Sequence, residues 1–239
     1  MKEQAISGRM EKVLSFIKAA DAGARQTLQG RLTGADAGAW LGNALGTSGL
    51  TVYLPQPLPG DFPYRPASDN GSTVIGAVPR YDAIVASWHA ADALPEVASR
   101  WHPLLGELAS EVHPYHVNEQ HVMDRRKAGE IQCRTLISLL MFHADLPDSA
   151  ARRSWKLHAP LVDRVHVGAT HYVQNWVIAK LDASCPLARG IPQLHFPSYE
   201  DLVNGFFDSP RGRDEILQDT SHFVQSGWRF YTVDYPLAV

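Results

Sequence analysis

The chain has 239 residues, 45% of them hydrophobic and 20% charged, with a formal charge of −3. Those proportions exclude a disordered or low-complexity chain and leave no global positive field to attract nucleic acid. No run of about 18 or more apolar residues occurs, so no membrane-spanning helix is expected.

In chain order, Glu11 to Ala19 reads as a first strand. Residues 22 to 45 read as a weak helix, because Gly23, Gly30, Gly34, Gly38 and Gly42 each cost about 1 kcal/mol relative to alanine in a helix interior. Leu50 to Leu54 is a second strand, and the Pro-, Gly- and Asp-rich stretch from Pro55 to Asn70 is a loop or lid. Tyr81 to Trp88 is a third strand. From Ala91 to Glu111 the apolar residues Leu94, Val97, Trp101, Leu104, Leu105 and Leu108 recur at helical steps. Tyr115 to Met123 is a fourth strand, and Asp124 to Gly129 is a charged link. The second half reads as a strand at Cys133 to His143, a helix at Pro147 to Val165 and a strand at Thr170 to Lys180. Ala183 to Ser198 reads as a proline-rich loop and Tyr199 to Phe207 as extended chain. A short helix at Pro210 to Gln218 and a last strand at Gly227 to Tyr235 follow.

Short phrases recur in order between the halves: Val13-Leu14-Ser15-Phe16 with Leu136-Ile137-Ser138-Leu139, Gly49 to Tyr53 with Gly168 to Tyr172, and Tyr81 to Val85 with Tyr199 to Val203. The order β-α-β-β-α-β, repeated, indicates an α+β chain of two tandem ferredoxin-like units, residues 1–126 and 127–239, that form an α+β barrel. The space between a sheet and its helices is then a natural ligand cleft.

Histidine is abundant, at 11 copies, and suits proton transfer near neutral pH. On the helix Pro147 to Val165, a 100° projection puts Ala151, Trp155, His158 and Val162 on one face, so His158 points at the sheet. It is either a hydrogen-bonded core histidine or a proton-transfer group lining a cavity. On the next strand His171, Val173, Asn175 and Val177 share a face, and His143 ends the neighbouring strand. His116 and His121 lie five apart and face opposite sides of a strand, so no metal site is expected there. Cys133 and Cys185 match no zinc or redox spacing and read as reduced thiols. With no apolar secretory core at the start, a cytoplasmic location is expected.

Ser154-Trp155-Lys156-Leu157-His158-Ala159-Pro160-Leu161-Val162, followed by His171-Tyr172-Val173-Gln174-Asn175, resembles the EthD family of dimeric α+β barrel proteins. Tyr199-Glu200-Asp201-Leu202 and Phe206-Phe207-Asp208-Ser209 also fit it. The resemblance covers Arg134 to Tyr235, with only Tyr81 to Met123 in the first half, where no His-Ala-Pro-Leu phrase stands. It implies a small-ligand pocket, no bound organic cofactor, and relatives that are decarboxylases, dehydratases, isomerases and cyclases of aromatic, polyketide-like or lactone compounds. The wider superfamily also holds haem proteins with a fused two-unit chain.

The leading expectation is therefore a cofactor-independent lyase or isomerase, a decarboxylase among them, acting on an aromatic or phenolic small molecule. His158 transfers the proton, assisted by His171 or His143. Trp155, Tyr199, Tyr81, Trp88 and His89, with Asn175, hold the substrate. Arg153 and Asn175 are the anchors considered for a carboxylate or enolate. No metal, nucleic acid or membrane partner is expected, and a homodimer is compatible with the resemblance. The alternatives are a haem-dependent enzyme with one histidine as axial ligand and a non-catalytic small-molecule binder. One polar cavity is expected in the second unit, with a smaller or blocked one in the first.

Overall fold

The computed structural model describes residues 10–57, 60, 62–63, 80–128 and 134–238, and the backbone of 73–75. Its first half runs β1 (Met10–Ala19), α1 (Ala22–Thr33), α2 (Ala37–Leu45), β2 (Leu50–Gln56), β3 (Thr73–Ile75), β4 (Ala83–Ala90), α3 (Leu94–Leu105) and β5 (Ala109–Asp124). The second runs β6 (Arg134–Phe142), α4 (Asp148–Val165), β7 (His171–Lys180), β8 (Gly190–Phe196), α5 (Tyr199–Gly205), α6 (Pro210–Ser221) and β9 (Val224–Leu237).

The expected weak helix is two helices. Asp21 caps α1 by accepting from the Ala24 amide at 2.8 Å. Gly34 then leaves the helix in extended geometry, and α2 stops at Gly46, whose φ of 63° suits glycine. Two readings need correction. Gly190 to Phe196, inside the expected loop, is strand β8. Its Pro192 argued against a strand because it has no amide to donate. The β6–β8 ladder is in fact interrupted there, between Ile137↔Gln193 and Leu140↔Gly190. Tyr199 to Gly205, expected to be extended, is helix α5. Ser198 accepts from the Asp201 amide at 3.1 Å, and Glu200 and Asp201 fill the first turn, where the helix dipole favours acids. The echo between Tyr81 and Tyr199 is therefore not a structural match, whereas the other two pair first strand with first strand and second with second.

The strands close into an eight-stranded antiparallel barrel in the order β2-β4-β1-β5-β7-β8-β6-β9, joined by β2–β9; β3 adds to β9 in parallel. Each half contributes its strands in the same order, second-third-first-fourth, which is the ferredoxin-like arrangement. Register assigns the faces. Leu14↔Ala86 and Phe16↔Ile84 turn inward and join Tyr115, Ile137, Leu139 and Phe230 in the barrel interior. The alternate residues face the helices. In the first half Val13, Ile17 and Val85 meet Leu28, Leu41, Val97 and Trp101. In the second, Leu136, Tyr172 and Leu194 meet Val162, Val165 and Ile216. The halves differ in packing. Trp101 is 1% exposed and donates from Nε1 to Ser15 Oγ at 3.0 Å, so it fills its layer. The second half keeps open space between sheet and helices.

Candidate functional site

That space is a cavity of about 630 Å³ between α4, α6 and the outward face of β6, β8 and β9. Leu136, Ser138 and Leu140 form its floor from β6, with Leu194 from β8 and Arg229 from β9. Trp155, His158 and Val162 close it from α4, and Ile216, Leu217 and Thr220 from α6. The size suits a drug-sized organic ligand. A cleft among the described residues of the first half is about 450 Å³, bordered by α3 and the start of β5, and is lined by charged Arg80, Glu111 and Asp182.

The α4 projection places its groups as expected: Ala151, Trp155, His158 and Val162 are buried, and Arg152, Arg153, Lys156 and Asp163 are exposed. Trp155 donates from Nε1 to the Tyr172 hydroxyl at 3.0 Å and meets Phe142 edge-on at 5.6 Å, so its ring is fixed. His158 is 7% exposed and lies edge-on to Phe223 at 5.4 Å. Its Nδ1 donates to Asp219 Oδ2 at 2.6 Å across to α6. That hydrogen bond holds the Asp219 carboxyl below the usual carboxylate range, against a smaller opposing effect of burial. An ionised Asp219 keeps the proton of neutral His158 on Nδ1, which leaves the Nε2 lone pair available. Nε2 makes no hydrogen bond to another described residue.

Two further groups were not singled out from the sequence. His166, just past α4, lines the cavity and donates from Nδ1 to the Phe206 carbonyl. Arg229 lines it from β9, with Nε 3.3 Å from Ser138 Oγ. Asp219 lies 61 positions from His158, and only the fold brings them together. His166 had a local signal, since it lies two turns beyond His158 near the same face.

The other expected site residues lie elsewhere. His143 ties the end of β6 to Ser221 O at 2.9 Å. His171 faces away from this cavity, bonds through Nε2 to His121 Nδ1 at 2.8 Å and stacks on His195 at 5.0 Å. Burial lowers it to about 3. Asn175 donates to Ile191 O at 2.8 Å and Gln193 Oε1 at 3.0 Å. Tyr81 sits in the barrel interior with its hydroxyl 2.8 Å from His113 Nδ1. Trp88 donates to Glu119 at 3.4 Å, and His89 meets Ser87 Oγ at 2.8 Å under the first-half helices. Tyr199 opens α5 and packs on the second-half core. Of the nine, His158 and Trp155 line the cavity. Cys133 lies outside the described residues. Among the described residues, no three or more His, Cys, Asp or Glu side chains converge as a metal site, and no helix is long and apolar enough to cross a membrane.

No family model and no curated protein matches the chain. Among solved structures it is similar to an anthrone oxidase-like protein, at TM-score 0.62 and 11% identity over 97% of this chain and 93% of that one. It is also similar to a mutant chlorite dismutase from Candidatus Nitrospira defluvii, at TM-score 0.54 and 10% identity over 96% and 93%. A candidate dyp-type peroxidase from Shewanella oneidensis follows at TM-score 0.53 and 11% identity, over the same shares. At these identities the likeness shows the fold, that of the dimeric α+β barrel proteins. Membership of the EthD family is not shown. The neighbours are named for oxidase, dismutase and peroxidase activities, so the cofactor-independent lyase or isomerase reading gains no support from them.

Proposed function

We propose that the chain is an oxidoreductase whose second-half cavity takes a flat, hydroxylated aromatic compound and whose His158 removes a proton from it. The observation that carries this reading is the His158–Asp219 pair at the wall of a large cavity lined by apolar and polar side chains together. Asp219 fixes the tautomer and supports the imidazolium that forms, and a positioned base of this kind contributes about 10²–10⁴-fold in rate. The name of the anthrone oxidase-like neighbour supports a substrate with a CH₂ group between aromatic rings.

On such a carbon acid, His158 Nε2 takes one CH₂ proton. The carbanion delocalises onto the ring oxygen, where Arg229 supplies stabilising positive charge. Its electrons pass to dioxygen, and a C–O bond forms as a hydroperoxide after the proton returns. Loss of the second C–H proton with cleavage of the O–O bond leaves C=O and water. One CH₂ and one O₂ thus give one C=O and one H₂O, with no other reductant. Dioxygen uptake with 1,8-dihydroxyanthrone as probe tests this. We expect uptake equal to the quinone formed, reduced about 10²-fold or more in His158→Gln. Uptake no faster than spontaneous autoxidation would overturn it.

A second reading is favoured by the same nitrogen. An Nε2 with no hydrogen bond to another described residue, and with Nδ1 tied to a carboxylate, is a donor that would suit a haem iron. His158 would hold the iron, Asp219 would fix the imidazole, and the cavity's apolar walls would enclose the ring. The bound group would supply one-electron and peroxide chemistry. A Soret shift on adding haemin that disappears in His158→Ala selects this reading over the first.

A further inference from the structure

We infer that His166 is a second substrate-binding group of this cavity, an acceptor that selects a ligand presenting a hydroxyl donor, a phenol or enol, over one presenting an ether. The inference rests on the reading that this cavity is the active site and names the ligand chemistry one of its walls demands.

The proton position follows from the partner. A carbonyl oxygen can only accept, so the bond to Phe206 O places the His166 proton on Nδ1. Nε2 is then a lone pair. His166 lines the cavity, and Nε2 makes no hydrogen bond to another described residue. The ring cannot turn away freely, since it packs 4.6 Å from Phe206 and 5.7 Å from Phe207. Its backbone N–H is held by Val162 O at 2.9 Å. Burial above all, with Arg229 and His158 nearby, lowers the imidazole to about 3, so it stays a neutral acceptor through the physiological range. His158 differs, because its carboxylate partner supports a positive ring during proton transfer. The two imidazoles thus divide the work. One moves the proton, and the other pairs with a substrate O–H.

When the cavity holds no ligand this lone pair is open to water, and a ligand that displaces the water without offering a donor leaves it unpaired, a cost that a hydroxyl removes. An ether oxygen brings a second lone pair, leaves Nε2 unpaired and is rejected by like polarity. A site built this way distinguishes analogues by leaving its own polar atom unpaired.

Calorimetric titration with 2-naphthol and 2-methoxynaphthalene tests the inference without turnover. We expect the unmodified chain to prefer 2-naphthol by about tenfold or more. His166→Phe should erase that preference while leaving 2-methoxynaphthalene binding nearly unchanged, and His158→Gln should keep it. Should His166→Phe fail to fold, His166→Asn retains a donor for Phe206 O without reaching the cavity, and must also lose the preference. His166→Gln, whose amide oxygen can accept there, should restore part of it. A preference that survives in His166→Phe or His166→Asn, follows His158 instead, or is absent from the unmodified chain would overturn the inference. An intact His166-dependent preference with no dioxygen uptake would refute the oxidation reading alone.

Discussion

Replacing Asp219 by asparagine isolates what the carboxylate does for His158. The substitution keeps shape and removes charge. The amide can turn its N–H₂ toward Nδ1, which then gives up its proton to Nε2, and the cavity-facing nitrogen becomes a donor instead of a base. A buried triad aspartate lost in this way costs up to about 10⁴-fold in rate elsewhere. Here the Asp219 side chain is 42% exposed, so water can also solvate the imidazolium. We therefore expect a smaller loss, about 10–100-fold, in kcat for dioxygen uptake, with KM nearly unchanged. A charge-assisted hydrogen bond contributes about 1.5–3 kcal/mol when buried. At this exposure we expect a stability loss of about 1 kcal/mol or less. The Asp219 carboxyl is held below its ordinary value of 3.8, so this contribution is present above that pH. It is lost as the pH falls through the lower folded value. Dioxygen-electrode kinetics and the ¹⁵N shifts of the His158 ring read the two effects separately. An unchanged kcat in a variant whose ¹⁵N shifts show the altered tautomer would refute the reasoning.

Gly168→Ala places a Cβ 2.0 Å from the Asp201 carbonyl oxygen, where the Gly168 amide bonds to Gly205 O at 2.8 Å. We expect little soluble protein or a Tm lowered by well over 5 °C, checked by a thermal melt; a native Tm would disprove the close approach of the α4–β7 turn to α5. The buried imidazoles His89, His166 and His171 are lowered from 6.5 to about 4, 3 and 3. Below pH 6.5 the unfolded chain takes up protons there first, so stability falls as the pH falls toward those values. Each group contributes at most about 1.4 kcal/mol per pH unit. A urea midpoint no lower at pH 5 than at pH 7 would contradict this.

The apolar runs of β1, β4 and β6, buried on both faces, and the apolar stripe of α4 made most of the barrel legible, because those patterns record burial directly. Strand β8 was hidden by Pro192, whose missing hydrogen bonds only the neighbouring strands can accommodate. Helix α5 had its signals in Ser198, Glu200 and Asp201, but the likeness of Tyr199 to Val203 with a true strand outweighed them. At the site, His158 and Trp155 were readable from helical spacing. Asp219 was not, since nothing local links α6 to α4. Strand parity grouped His171 with Asn175 correctly, yet could not tell the barrel interior from the helix-facing side. Only strand order and register make that distinction.

Proton removal by His158 is tested most directly without dioxygen. 1,8-Dihydroxyanthrone is incubated anaerobically in D₂O with the purified chain, and loss of its CH₂ proton signal is followed by NMR. We expect exchange catalysed by the unmodified chain and lowered about 10²-fold or more in a folded His158→Gln variant. Equal exchange rates for the two proteins would contradict the assignment of His158 as the base.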